Sequence, residues 1–105
     1  MNGLEKKFSL YLDDLMAKKE ILWWKFEGIK LCLTDSDKRT TYTPDFAVLN
    51  ADGTMTIYET KGFWQSSARV KTKVAADMFW MFKFIGAQWK KKQWVFEEFE
   101  PKGEE

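Results

Sequence analysis

The stretch that decides the fold is residues 42–64, which read YTPDFAVLNADGTMTIYETKGFW. Two largely apolar runs flank residues 51–53, a pattern that predicts a β-hairpin whose three-residue loop holds Gly53 in the left-handed conformation. Counting outward from this loop brings Asp45 opposite Glu59, and directly opposed residues project to the same face of a sheet. A two-residue loop would shift the register by one and send Asp45 to the other face.

The segments on either side of this hairpin predict the remaining helices and strands. Apolar residues at spacings of three and four predict a helix over residues 4–19, with Asn2 and Glu5 at the spacing of a capping box. A second helix is expected to begin at Ser66 or Ser67 and to end near residue 79. Its expected buried stripe is Val70, Val74, Ala75 and Met78.

Strands are predicted over residues 42–50, 54–61, 82–89 and 93–99, and over residues 21–33 as one bent strand or two short ones with a bulge at residues 27–28. The order is then α-β-β-β-α-β-β. A central mixed sheet with a helix on each face would bury the aromatic residues, which make up 17% of the chain. The fold class expected is therefore α/β.

Composition excludes several kinds of functional site. The 105 residues fit one domain, residues 1–105, and they include no His and a single Cys. These counts exclude His-based proton transfer, His-ligated metals, an internal disulfide and a Cys-cluster zinc site. Hydrolytic chemistry in this chain would have to use carboxylates, lysines, hydroxyls and a metal that prefers oxygen ligands.

The net charge of +1 hides an uneven distribution. Residues 97–105 carry five acids and one base, which predicts an acidic, mobile tail, and residues 1–96 carry 16 basic and 11 acidic residues. A modestly basic body is compatible with a nucleic-acid partner, and equally with ordinary solubilising charge. No segment has the apolar length of a signal peptide or a membrane span, so a cytoplasmic protein is expected.

The hairpin places chemistry on one face. Glu59 and Lys61 are two residues apart on a strand, so both share the face that Asp45 reaches in the three-residue-loop register. Two carboxylates held this close repel each other unless a cation lies between them or one is protonated. Their oxygen atoms suit Mg²⁺ or Mn²⁺, and a nearby lysine can orient a water or counter charge on a phosphoryl oxygen. The alternative interpretation is a surface cluster of charges.

Pro44-Asp45 followed by Glu59-Thr60-Lys61 resembles the signature of the PD-(D/E)xK nuclease superfamily. The longer match, residues 42–46 with residues 59–64, is most similar to the bacteriophage endonuclease I group, whose members are Holliday-junction resolvases. This resemblance implies a restriction-endonuclease-like core and a metal-dependent DNA endonuclease that hydrolyses phosphodiester bonds in branched DNA. It also implies a homodimer, and the host bacterial cytoplasm as the place of action of a phage-encoded protein.

The resemblance also implies roles for individual residues. Asp45 and Glu59 would be metal ligands, Lys61 the catalytic lysine, and the backbone carbonyl of Thr60 a further group facing one or two Mg²⁺ ions, with Mn²⁺ as a substitute. Glu5 matches the glutamate that such families often add from the first helix, and this role competes with its role in the helix cap.

Candidate DNA contacts are the basic and polar residues that follow the hairpin or lie in exposed turns. They are Lys38, Arg39, Gln65, Ser66, Ser67, Arg69, Lys71, Lys73, Lys90, Lys91 and Lys92. Each also fits an ordinary solvated surface. Termini shorter than those of the group favour a related alternative, a nicking, degradative or transposase-like nuclease that takes its specificity from a phage protein partner. A non-catalytic DNA-binding or assembly protein with the same fold is the alternative from another functional class.

Overall fold

A computed structural model describes residues 1–34, 40–62 and 66–102, which form two helices and seven strands. In chain order they are α1 (Gly3–Ala17), β1 (Ile21–Phe26), β2 (Leu31–Cys32), β3 (Thr41–Tyr42), β4 (Phe46–Asn50), β5 (Met55–Lys61), α2 (Ser66–Met78), β6 (Lys83–Lys90) and β7 (Gln93–Phe99).

Five of these strands form a mixed sheet in the order β1-β4-β5-β6-β7, while β2 and β3 pair separately. β5 and β6 are parallel and the other neighbours are antiparallel. The predicted α/β class with a central mixed sheet is therefore confirmed.

The element order differs from the predicted one because two expected strands are each divided. Residues 21–33 form β1 and β2, as one of the two interpretations expected, and the break falls at Glu27, whose φ is 50°. Residues 42–50 divide into the end of β3 and β4 around Pro44. Proline lacks a backbone N–H and cannot donate to a neighbouring strand, so regular pairing stops beside it.

The two helices cover opposite faces of the sheet, as predicted. Phe46 and Val48 pack with Phe8 of α1, whereas Ala47 between them packs with Ala75 and the rest of the cluster under α2. Successive residues of a strand point to opposite faces, so α1 and α2 lie on opposite sides. The side chains of residues 57 and 59 project from the same face of the sheet, the face that α2 covers.

The predicted buried stripe of α2 is wrong for its large residues. Val70 is 60% exposed, Val74 is 41% exposed and Met78 is 40% exposed. The buried residues of α2 are Thr72, Ala75 and Ala76. Small side chains allow the helix backbone to approach the sheet closely, and periodicity counted on large apolar residues selected the wrong face.

Both ends of α1 carry hydrogen-bonded caps. The Asn2 side chain accepts from the Glu5 N–H and the Glu5 side chain accepts from the Asn2 N–H, each at 2.8 Å, which confirms the capping box. At the other end, Lys19 N–H donates to the Met16 carbonyl and Glu20 N–H to the Leu15 carbonyl, with Lys19 at φ 61°. This is a Schellman motif with a lysine at the position where glycine is favoured.

The segment expected as an acidic tail begins inside the sheet. Glu97, Glu98 and Phe99 are the last residues of β7 and pair with residues 84–86 of β6. Beyond them, the Lys102 N–H donates to the Asp77 carboxylate. Within the described residues, no helix is both long and apolar enough to cross a membrane.

Candidate active site

The hairpin register brings Asp45 opposite Glu59. Phe46 pairs with Tyr58, and the same register continues to the loop, where the Asn50 N–H donates to the Thr54 carbonyl at 2.8 Å. Gly53 has a φ of 88°. The predicted three-residue loop is confirmed, and the two-residue alternative is excluded.

Backbone N–H groups hold one oxygen of each carboxylate. The Asp45 N–H donates to Glu59 Oε1 at 2.8 Å, and the Thr60 N–H donates to Asp45 Oδ2 at 2.8 Å. The Thr60 hydroxyl donates to the same Asp45 oxygen at 2.9 Å. Side chains thus replace the regular strand-to-strand bonds where β4 and β5 part, and these donors bond Asp45 Oδ2 and Glu59 Oε1 rather than Asp45 Oδ1 and Glu59 Oε2.

Lys61 lies beside the second oxygen of Glu59. Its Nζ is 3.2 Å from Glu59 Oε2, and the side chains are 32% and 7% exposed. The lysine therefore spans from the buried carboxylate to solvent. Asp45, Glu59 and Lys61 share the α2 face of the sheet, as the spacing predicted; we call Asp45 and Glu59 the carboxylate pair.

Burial makes it unfavourable for both carboxylates of the pair to be ionised at once. Burial raises the pKa of Glu59, and the charge of Asp45 raises it further. Burial also raises the pKa of Asp45, although the two hydrogen bonds from Thr60 act in the opposite direction. A proton or a cation at the pair would remove part of this cost.

Tyr42 is a site residue to which sequence reasoning gave no role, although it begins the quoted motif. Its side chain is 8% exposed, and hydrogen bonds with Thr72 and Glu59 both act on the pKa of its hydroxyl. Burial and the charge of Glu59 both raise the pKa of this hydroxyl. The Lys71 ammonium lies 6.0 Å from the centre of the Tyr42 ring. Only its position three residues before Asp45 hinted that it would reach the site.

Gln88 is a second residue that no sequence pattern indicated. It lies level with Lys61 across the parallel β5–β6 pair, and its side-chain amide donates to the Gly62 carbonyl at 2.8 Å. This bond fixes the direction in which the chain leaves β5 directly after Lys61.

The donor set fits a hard divalent cation. The described residues contain no group of three His, Cys, Asp or Glu side chains arranged to hold a metal, so two carboxylates are the acidic ligands available. Mg²⁺ is commonly bound by one or two carboxylates together with water and substrate phosphate oxygens. The carboxylate pair matches that set, and the buried Tyr42 hydroxyl adds a polar oxygen beside Glu59.

Glu5 forms part of the cap of α1. One of its carboxylate oxygens accepts the Asn2 N–H, yet its negative charge still contributes to raising the pKa of Asp45. A ligand role for Glu5, and the role of the Thr60 carbonyl, stay predictions of the resemblance.

The predicted DNA contacts do not form one group. Lys38, Arg39 and Gln65 lie outside the described residues. Ser66 and Ser67 are exposed in the first turn of α2.

The basic residues of α2 lie on two sides of the helix. Arg69 makes two hydrogen bonds to the Glu97 carboxylate, at 2.9 and 2.5 Å, and this contact lowers the pKa of Glu97. Lys73 lies on the same side, whereas Lys71 lies towards Tyr42. The acidic strand end therefore already engages Arg69.

Lys90, Lys91 and Lys92 are all exposed at the turn between β6 and β7. This turn projects from the end of the sheet at which β5 finishes, because β6 runs parallel to β5.

Comparisons with known proteins give no neighbour: no family model, no curated protein and no solved structure matches this chain.

Proposed function

We propose that this protein is a metal-dependent DNA endonuclease of the PD-(D/E)xK type, with a restriction-endonuclease-like core, that hydrolyses phosphodiester bonds in branched DNA. The single observation that carries the proposal is the carboxylate pair, held by backbone N–H groups with Lys61 3.2 Å from Glu59. A surface cluster of charges would not bury Glu59 to 6% exposure.

The carboxylate pair would hold one or two Mg²⁺ ions through the side-chain oxygens of Asp45 and Glu59. A Mg²⁺ ion bound there supplies Lewis-acid stabilisation of the charge that develops on the scissile phosphate. Mn²⁺ has similar ligand preferences and should substitute for it.

Lys61 contributes a positive charge and proton donors at the edge of the site. Because its ammonium lies between Glu59 and solvent, it can orient a water for in-line attack and counter charge on a phosphoryl oxygen. Tyr42 and Gln88 act around this centre: Tyr42 lines it, and Gln88 holds the chain that follows Lys61. We expect products that carry a 5′-phosphate.

The test is cleavage of a labelled four-way junction, a linear duplex and a single strand, each with Mg²⁺ or with EDTA. Asp45→Asn and Lys61→Ala should each lower cleavage by at least a hundredfold, because removing one group that stabilises transition-state charge typically costs that much. Asp52→Asn and Lys83→Ala are matched controls, since both residues are exposed at the opposite end of the hairpin and sheet.

Two outcomes would contradict parts of this proposal. If no substrate is cut in a metal-dependent way, the protein is not a nuclease. If the linear duplex is cut as readily as the junction, the preference for branched DNA is wrong. Symmetric resolution of a junction needs two active sites, so sedimentation equilibrium should show a dimer on the junction.

A further inference from the structure

The turn between β6 and β7 projects from the same end of the sheet as the carboxylate pair. Gly86 of β6 lies level with Glu59 and Gln88 with Lys61, and the strand then continues to Lys90. Lys91 is five residues beyond Gly86, which places it about 17 Å further along the sheet at the usual rise of a strand.

The backbone of this turn is unfavourable for lysine. Lys90 pairs with Gln93, so the loop has two residues, and Lys91 and Lys92 have φ values of 51° and 61°. Two consecutive left-handed residues define a type I′ turn, for which Asn-Gly is strongly preferred because other side chains strain the backbone. The chain therefore places two positive charges where a neutral pair would be more stable.

A fourth lysine extends the positive surface. Lys7 of α1 holds its ammonium 4.1 Å from the centre of the Trp89 ring, and Trp89 itself packs edge-on against Trp94. We call Lys7, Lys90, Lys91 and Lys92 the lysine turn. Within the described part of the chain, none of the four forms an ion pair with an acidic side chain.

We infer that the lysine turn binds backbone phosphates of DNA about five base pairs from the scissile phosphate, since 17 Å corresponds to about five steps of 3.4 Å along a strand. This inference rests on the proposed function for the position of the cut. The contacts are independent of sequence, because lysines make point-charge contacts with phosphate oxygens, which carry no sequence information. Trp89 does not read bases either, because its ring packs between Lys7 and Trp94. Lysines at these two positions destabilise the free protein because of their strained backbone. Ionic contacts between these lysines and phosphate groups would offset this cost in the complex with DNA.

The test replaces the strained lysines with the residues that this turn prefers. Lys91→Asn/Lys92→Gly should raise the melting temperature by about 4 °C or more, because it relieves left-handed lysine backbone. The same variant should bind a 30-base-pair duplex more weakly in EDTA, where no cleavage occurs. Removing two phosphate contacts should reduce the salt slope by about two, so that wild-type affinity falls about twelvefold more than that of the variant between 50 and 200 mM salt.

Lys19→Gly is the matched control. Lys19 is also an exposed lysine with a left-handed backbone. It lies at the opposite end of the sheet, near the hairpin loop, because β1 begins just after it at Ile21 and Ile21 pairs with Asn50. This variant should likewise gain stability, while its DNA affinity and salt slope stay those of the wild type.

The outcomes separate the two proposals. If the double variant binds DNA with the wild-type affinity and salt slope, or if Lys19→Gly weakens binding equally, the lysine turn is not a DNA site, whatever the cleavage assay shows. If binding depends on the lysine turn but no substrate is cut, the nuclease proposal fails and the DNA-binding site stands. Loss of binding to phosphatidylserine vesicles with unchanged DNA binding would assign the turn to membranes and overturn the inference.

Discussion

Replacing Glu59 by Gln should make the metal-free protein more stable at pH 7. Gln keeps the oxygen that accepts the Asp45 N–H, but it removes a charge that is buried to 6% exposure. With an effective dielectric constant of 20, the lost attraction to Lys61 at 3.2 Å is worth about 5 kcal/mol before solvent screening. Lys61 is one-third exposed, so screening reduces this value.

The removed repulsion offsets most of the lost attraction once solvent screening at Lys61 is counted. Two charges about 5 Å apart, the separation of directly opposed side chains, repel by about 3 kcal/mol at the same dielectric constant. The remaining effect is the cost of burying the Glu59 charge, which is also the leading cause of its raised pKa. We therefore expect Glu59→Gln to increase the free energy of unfolding by about 1–3 kcal/mol.

The pH dependence gives this prediction its sign. Because the pKa of Glu59 in the folded protein is raised above its usual 4.5, the folded state holds the proton more tightly than the unfolded state. The wild-type protein in EDTA should lose stability as the pH rises from 4.5 through the raised pKa, and Glu59→Gln should flatten this dependence. Asp52 is a control whose effect on stability has the opposite pH dependence. Hydrogen bonds from Thr54 lower its pKa, so its contribution to stability is lost as the pH falls.

Urea unfolding followed by tryptophan fluorescence, in EDTA and in Mg²⁺, measures these effects. A hundredfold excess of Mg²⁺ over its dissociation constant should stabilise the wild-type protein by about 2.7 kcal/mol and Glu59→Gln by much less. If Glu59→Gln is less stable than the wild type at pH 7 in EDTA, the ion pair with Lys61 outweighs burial and the reasoning is refuted.

Three further predictions concern the residues around the site. Tyr42→Phe should destabilise the metal-free protein by about 1 kcal/mol in urea unfolding, because it removes a buried hydroxyl that bonds with Glu59 and Thr72; an unchanged or higher free energy of unfolding would show that these bonds do not stabilise the fold. Glu97→Gln should weaken its contact with Arg69 and tighten DNA binding measured by fluorescence anisotropy in EDTA, and unchanged binding would place Arg69 away from the DNA. Glu5→Gln retains the cap on Asn2, so the melting temperature and the Mg²⁺ concentration for half-maximal cleavage should not change, whereas a higher Mg²⁺ requirement would identify a metal ligand.

Local signals allowed the hairpin and the first helix cap to be predicted. Gly53 fixed the loop length, the loop length fixed the register, and the register placed Asp45 opposite Glu59. Asn2 and Glu5 satisfied a rule that acts over three residues. In each case the relevant partners lie close in sequence, so pattern and structure coincide.

The features that sequence did not predict depend on contacts between distant segments. The buried face of α2 is set by how closely Ala75 and Ala76 approach the sheet, which periodicity does not record. The bond from Gln88 to Gly62 requires β6 to lie parallel to β5 in one particular register. Tyr42 meets Glu59 from β3, which is separated from β4 around Pro44.

The bonding of the carboxylate pair has a consequence for control of the proposed nuclease. The Glu59 carboxylate accepts the N–H of Asp45 itself, and the Asp45 carboxylate accepts the N–H of Thr60, the residue after Glu59. The two side chains therefore join the strands of the hairpin as well as forming the site. Moving the two side chains apart would break charge-assisted bonds worth about 1.5–3 kcal/mol each. The pair is thus assembled as soon as the hairpin folds, and in the proposed nuclease the timing of cleavage would rest with the arrival of metal and DNA rather than with a rearrangement of the protein.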